Sequence, residues 1–191
     1  MKFTNQNIIR KMKIKIYDHF DRELPKVIKK GEWIDLSIPY SIELFGPEAK
    51  MLKRIRTKGE DNRTRDVEFH TEFIDLGYVI KVPKGYEVHV LPRSSTFNKY
   101  GIVLSNSMGI IDNDYNGIDD KIKAYIIPFK HVNISEDTRL FQFRVELSQN
   151  ATFWQKIKWL FSNKIEVETF TPEDKNRGGF GSTGETTFTE C

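Results

Sequence analysis

Pro92-Arg93-Ser94-Ser95-Thr96 sets a fixed cation beside hydroxyls and main-chain N–H groups. Guanidinium grips oxyanions bidentately and hydroxyls donate to the oxygens left over, so the grouping suits a phosphate. Serine-rich turns are common, however, and a turn needs no ligand. Downstream, Asn106-Ser107-Met108-Gly109-Ile110-Ile111-Asp112-Asn113-Asp114-Tyr115-Asn116-Gly117 places carboxylates and an aromatic ring between glycines. Glycine lets a ligand approach the backbone, a carboxylate can orient a water, and a ring can lie against a sugar. A plain hairpin turn accounts for that stretch equally well. Near the end comes Arg177-Gly178-Gly179-Phe180-Gly181-Ser182-Thr183-Gly184, in a polar, glycine-rich tail from Glu173 whose composition alone reads as disordered.

The elements that must carry these residues read as strands. Ile74, Leu76, Tyr78, Ile80 and Val82 alternate with their neighbours, which predicts a strand over 73–82. Met12, Ile14 and Ile16 alternate with lysines, Ile34, Leu36 and Ile38 alternate with Trp33, Asp35 and Ser37, and Phe141, Phe143 and Val145 alternate with Gln142, Arg144 and Glu146. Turn signals such as Pro83-Lys84-Gly85 and Asn116-Gly117 punctuate them, so the fold is expected to be all-β, a mainly antiparallel sandwich or barrel. At 191 residues and 38% hydrophobic content, one domain with one core is expected.

Composition narrows the function classes. With 30 basic against 27 acidic residues, the net charge of +3 does not mark a dedicated nucleic-acid binder, so phosphate recognition must be local. Cys191 is the one cysteine, which excludes an internal disulfide framework and a cysteine zinc site and points to a reducing, cytoplasmic compartment. No apolar run approaches a membrane span, and the first ten residues lack a signal-peptide core, so no membrane role is expected.

Two stretches break the strand pattern. Residues 50–65 carry Lys50, Lys53, Arg54, Arg56, Lys58, Arg63 and Arg65, the composition of a solvated loop. In 152–164, Phe153, Trp154, Ile157, Leu160 and Phe161 fall at helical spacing. The stripe is expected to pack on the protein's own barrel, the alternative being a partner-binding or membrane-surface helix.

The order Pro-Arg-Ser-Ser, Gly-Ile-Ile-Asp-Asn-Asp-Tyr-Asn-Gly, Arg139-Leu140-Phe141-Gln142 and Arg-Gly-Gly-Phe-Gly-Ser-Thr-Gly closely resembles the trimeric dUTPase family, from about Trp33 to Gly184. It looks most like the dUTPases of phages and prophages of Gram-positive bacteria, where Trp-Ile-Asp-Leu also fills the first motif. The resemblance implies a distorted antiparallel β-barrel or jelly-roll over residues 1–172, with insertions near 46–70 and 151–164. It also implies a C-terminal arm over 173–191, exchanged within a homotrimer. The implied reaction is magnesium-assisted hydrolysis of dUTP to dUMP and pyrophosphate by water attack at the α-phosphate. Asp35 matches the aspartate tied to the Mg²⁺ hydration shell, the metal being held mainly by phosphates and waters. Arg93, Ser94 and Ser95 match the phosphate loop. Asn106, Gly109, Ile111 and Tyr115 match the deoxyuridine hairpin, Asp112 the carboxylate that orients water, and Gln142 the fourth-motif glutamine. Arg177, Phe180, Gly181, Ser182 and Thr183 match the arm that grips the terminal phosphates and covers uracil.

The chain departs from the family pattern at Trp33-Ile34, where Gly-Tyr is usual, and in a fifth motif shorter by two residues. A dCTP deaminase shares the fold and an Arg-Ser-Ser loop but would carry a glutamate base after the hairpin, and Asn116-Gly117-Ile118-Asp119 offers none. Some phage members act by docking on a repressor protein, for which 50–65 and 152–164 are the candidate surfaces. A catalytically dead scaffold relative is disfavoured, since the expected polar residues are present.

Overall fold

A computed structural model describes residues 10–27, 33–50 and 66–179. The chain enters through β1 (Arg10–Asp18), where Met12, Ile14 and Ile16 are buried and Lys13 and Lys15 face out, the alternation a half-buried strand requires. Next come β2 (Ile34–Ser37), β3 (Ile42–Leu44) and β4 (Glu48–Lys50). Strand β4 pairs antiparallel with β5 (Asp66–Glu68), so the insertion near 46–70 is bracketed by a two-stranded ribbon. Residues 51–65, and with them most of the basic stretch, lie outside the described residues.

The single strand predicted over 73–82 is two, β6 (Glu72–Asp75) and β7 (Tyr78–Lys81). The break falls at Gly77, whose φ of 71° is left-handed and whose added Cβ would lie 2.5 Å from the Phe20 ring. Asp75 closes the turn by accepting a hydrogen bond from the Gly77 N–H at 2.8 Å. Hydrophobic alternation continues through the break because both halves face the same core, and the period therefore hid it.

The remaining elements are β8 (Tyr86–Pro92), α1 (Thr96–Tyr100), β9 (Ile102–Leu104), β10 (Gly109–Ile111), β11 (Lys123–Pro128), β12 (Val132–Ile134), β13 (Arg139–Leu147), α2 (Phe153–Leu160) and β14 (Ser162–Thr169). Among the described residues the strands group as β14-β1-β7, β10-β8-β13-β2, β6-β11-β9, β12-β3 and β4-β5. The fold is all-β, with two short helices among the described residues, and the sheets of those residues do not join into a closed barrel. Pairing is antiparallel except between β1 and β14. Ile14, Leu36, Tyr78, Val88, Phe141 and Phe143 meet in one core between the sheets. Among the described residues, no helix is long and apolar enough to cross a membrane.

Helix α2 forms where the spacing predicted a helix, started by a capping box in which Thr152 accepts from the Gln155 N–H and the Gln155 side chain accepts from the Thr152 N–H. Its orientation is the reverse of the expected one. Phe153, Trp154, Leu160 and Phe161 are 69%, 75%, 78% and 61% exposed, while Trp159 packs on Tyr86 and Gln155 donates to the Lys84 carbonyl. A Trp on the opposite side of the helix supplies the anchor, so the apolar stripe turns away from the protein's own core.

Candidate functional site

The sheet β10-β8-β13-β2 carries most of the residues singled out above. Asp35 in β2 lies beside Gln142 in β13, which lies beside Leu91 in β8, so the three occupy one row across the ladder. Gln142 donates through Nε2 to the Pro92 carbonyl at 3.3 Å. Arg93 follows β8, held by its N–H on the Leu140 carbonyl at 3.0 Å. Its guanidinium then meets Asp35, with Nε 3.1 Å from Oδ1, while Arg139 Nη1 stands 3.2 Å from Oδ2. Asp35 does point away from Ile34 and Leu36, yet its side chain is only 5% exposed, sealed between the two cations. Their charges are close, but neither carboxylate oxygen receives an aligned hydrogen bond. The pairing is therefore mainly electrostatic. Arg139, not singled out from the sequence as a site residue, is the second cation of this cluster; its signal was its place in Arg-Leu-Phe-Gln.

Ser94 is exposed and Ser95 is the residue before α1, its hydroxyl making no cap to the helix. Thr96 beside them is buried, donating from Oγ1 to the Leu140 carbonyl at 2.6 Å. One hydroxyl thus fixes the loop to β13 while the two serines stay available on its outer side.

The second cluster is built on β10. Gly109, Ile110 and Ile111 pair with Val90, His89 and Val88 of β8, and the chain then turns through Asp112 to Gly117. Asn106 precedes the hairpin in a tight turn, with the Met108 N–H on its carbonyl and Ser107 at φ 62°. Tyr115 folds inward, donating its hydroxyl to the Lys121 carbonyl at 3.1 Å. Burial, with the Asp120 and Asp75 carboxylates nearby, pushes the phenol pKa above its ordinary value, so Tyr115 stays neutral. A cavity of about 250 Å³ opens here, lined by Asn106, Gly109, Asp112, Tyr115, Lys121 and Arg177. A second, of about 330 Å³, shares Asp112 and Arg177 as its wall and extends to Lys84, Asp114, Ser148 and Gln155.

The start of the tail closes over this hairpin. Glu173 bridges to Gly117 and accepts from the Ile118 N–H at 2.9 Å. An added Cβ on Gly117 would lie 2.2 Å from the Lys175 carbonyl oxygen, so only glycine allows the approach. Arg177 then sets Nη1 2.6 Å from Asp112 Oδ2 and Nε 3.2 Å from Asp114 Oδ1. Gly179 passes close against the Tyr115 ring. Phe180, Gly181, Ser182 and Thr183 lie outside the described residues.

The two clusters are joined by β8: Gly109 pairs with Val90 and Ile111 with Val88, and the strand runs on through Pro92 to Arg93.

The chain matches known proteins over most of its length. The dUTPase family model matches residues 64–184, most of the chain. A prophage-derived deoxyuridine 5'-triphosphate nucleotidohydrolase of Bacillus subtilis is 30% identical over 173 residues, covering 91% of this chain and 97% of that protein. The chain belongs to the dUTPase family. Among solved structures, the dUTPase of Streptococcus mutans aligns at a TM-score of 0.53 with 20% identity, covering 70% of this chain and 94% of that one. A dUTPase mutant from phage phi11 of S. aureus, described with a structural Mg(II) ion, aligns at 0.51 with 14% identity, covering 73% and 94%. Both likenesses carry the fold: this is a dUTPase-type β-rich architecture.

Proposed function

We propose that this dUTPase hydrolyses dUTP to dUMP and pyrophosphate, with deoxyuridine in the β10 hairpin and the phosphates between that hairpin, the Arg93 loop and the tail. The observation that carries the reading is the hairpin cavity, where an inward Tyr115, an exposed Asp112 and the arm residue Arg177 converge on one space. Asn106 and the main chain of Gly109 and Ile111 read the uracil edge, and Tyr115 packs on deoxyribose. A site matched to the donors and acceptors of one base rejects another by leaving buried groups unpaired.

Arg93 and Arg177 hold the phosphate chain, with Ser94 and Ser95 donating to its oxygens. Arg177 must leave Asp112 to do so, which frees that carboxylate to orient a water. The water oxygen bonds to the α-phosphorus as the bond to the β-phosphate oxygen breaks. Its proton passes to Asp112, and pyrophosphate departs. Gln142 and Asp35 keep Arg93 in place across the sheet. Positioning and electrostatics supply most of the rate. Phe180, Gly181, Ser182 and Thr183 complete the cover.

Among the described residues, no group of three or more His, Cys, Asp or Glu side chains is placed to hold a metal ion. Mg²⁺ would be carried by phosphates and waters, the mode this ion prefers, and Asp35, closed off between Arg93 and Arg139, would act on the phosphates through Arg93. When bound, Mg²⁺ neutralises part of the phosphate charge.

The resemblance to the dUTPases implies a homotrimer, and the site is read as assembled from more than one of its subunits. In a trimer that exchanges arms, the contacts of Arg177 with Asp112 and Asp114 form between chains instead of within one. Hydrolysis of a panel of nucleoside triphosphates, with and without Mg²⁺ and scored for pyrophosphate, tests the reading. Selective turnover of dUTP is expected, and turnover of none, or ammonia release from dCTP, would overturn it. The outward stripe of α2 favours a second role in docking a protein partner such as a repressor. A pull-down that loses its partner on Trp154→Ala with hydrolysis intact would support that role.

A further inference from the structure

Asp120 has no role in the reaction as set out above. It is 2% exposed, and its carboxylate is held by main-chain donors from two distant segments. Oδ2 accepts from Gly117 N at 2.9 Å and Arg177 N at 3.0 Å, while Oδ1 accepts from Arg177 N and Gly178 N, each at 3.2 Å. Gly117 ends the hairpin, and Arg177 and Gly178 lie in the arm. Next to it Asp119 receives its own clamp: its N–H donates to Asn176 Oδ1 at 2.9 Å, and Asn176 Nδ2 donates to Asp119 Oδ2 at 2.8 Å.

We propose that Asp120 is the positioning residue of the arm, a latch that fixes the main chain of Arg177 and so aims its guanidinium into the nucleotide site. A turn cap would need only the Gly117 donor, whereas the other two lie 57 and 58 residues away in sequence. Fixing the N–H of Arg177 and of its successor sets the point from which the side chain departs, and it departs onto Asp112 and Asp114. Release of the arm strips two of three donors from a buried carboxylate, so the docked arm is what satisfies it. The same bonds act whichever subunit supplies the arm. The consequence for catalysis rests on the dUTP reading above, while the latch itself does not.

Asp120→Asn has nearly the same shape, but its NH₂ must face N–H donors and one acceptor oxygen is lost. In the ligand-free protein, trypsin cleavage after Lys175 should quicken about tenfold in Asp120→Asn. Asp120→Ala, which removes every acceptor of the latch, should quicken it further. Unchanged cleavage in both variants overturns the latch, whether or not dUTP is the substrate. Kinetics then test its purpose. Asp120→Asn should lower kcat/KM for dUTP about tenfold, mostly through KM, in the full chain, and by less than about twofold in a chain truncated after Asn176. An equal loss in both backgrounds would mean that Asp120 serves the hairpin alone. Faster cleavage in a protein that does not turn over dUTP would leave the latch standing and remove the dUTP reading.

Discussion

Replacing Asp35 with Asn keeps the side-chain shape and removes the charge between Arg93 and Arg139. Breaking a wholly buried ion pair from one side costs about 3–5 kcal/mol. Here the guanidinium side chains are 30% and 58% exposed and regain water, and neither carboxylate oxygen accepts an aligned hydrogen bond. The expected loss is accordingly about 1–2 kcal/mol. For a chain of this length that lowers Tm by about 2–8 °C. If Arg93 meets phosphate in the orientation Asp35 gives it, the same energy lost at the transition state is about a 5–30-fold drop in kcat/KM. Differential scanning calorimetry and steady-state pyrophosphate release on the same preparation read both effects. An Asp35→Asn protein with unchanged Tm and unchanged kcat/KM would refute the reasoning, because the charge would then neither hold the arginines nor direct one of them. A drop in Tm without a kinetic effect would confine Asp35 to stability.

Three further outcomes are expected. Asp112→Asn should lower kcat by at least about 100-fold while a non-hydrolysable dUTP analogue still binds; near wild-type turnover would remove Asp112 from the water-orienting role. Tyr115→Ala should narrow the dUTP-to-UTP ratio of kcat/KM by opening the 2′ side of the sugar pocket, and an unchanged ratio with dUTP activity retained would take Tyr115 out of that pocket. Burial raises the pKa of Tyr78 from its ordinary 10.0, so the unfolded chain releases this proton first. Its contribution to stability is complete below pH 10 and falls as pH rises from there through the raised value. Tyr78→Phe should flatten that alkaline decline in Tm, and an identical decline would contradict the assignment.

Strand content was legible because alternation is a local signal. Met12, Ile14 and Ile16 announce β1 without reference to any partner. The break at Gly77 was not legible, since a positive φ leaves no mark on a hydrophobic period that continues across it. Nor was the direction in which α2 faces, because its stripe and Trp159 compete for the same core and only the packed structure decides between them. At the site, Arg93, Asp112, Tyr115 and Gln142 were named by motif, and the fold gathers them into two clusters joined by one sheet. Arg139 and Asp120 were missed for one reason. Each takes its meaning from a group remote in sequence, Asp35 for the first and the backbone of Arg177 for the second. An Asp-Asp pair after a hairpin otherwise reads as solvated charge.

On the proposed reading, the nucleotide site takes its hairpin and its phosphate cluster from different subunits. Asp112→Asn spoils the hairpin and leaves the cluster whole, while Arg93→Ala does the opposite, so each homotrimer should be nearly inactive. In co-refolded mixtures at equal ratio, a site is intact when a sound hairpin faces a sound cluster, and random assembly gives about a quarter of such sites. Recovery of dUTP hydrolysis to about that fraction of the wild-type rate is the predicted result. Activity no higher than that of the parents, in verified mixed trimers, would place Arg93 and Asp112 of one chain in the same site and contradict the account.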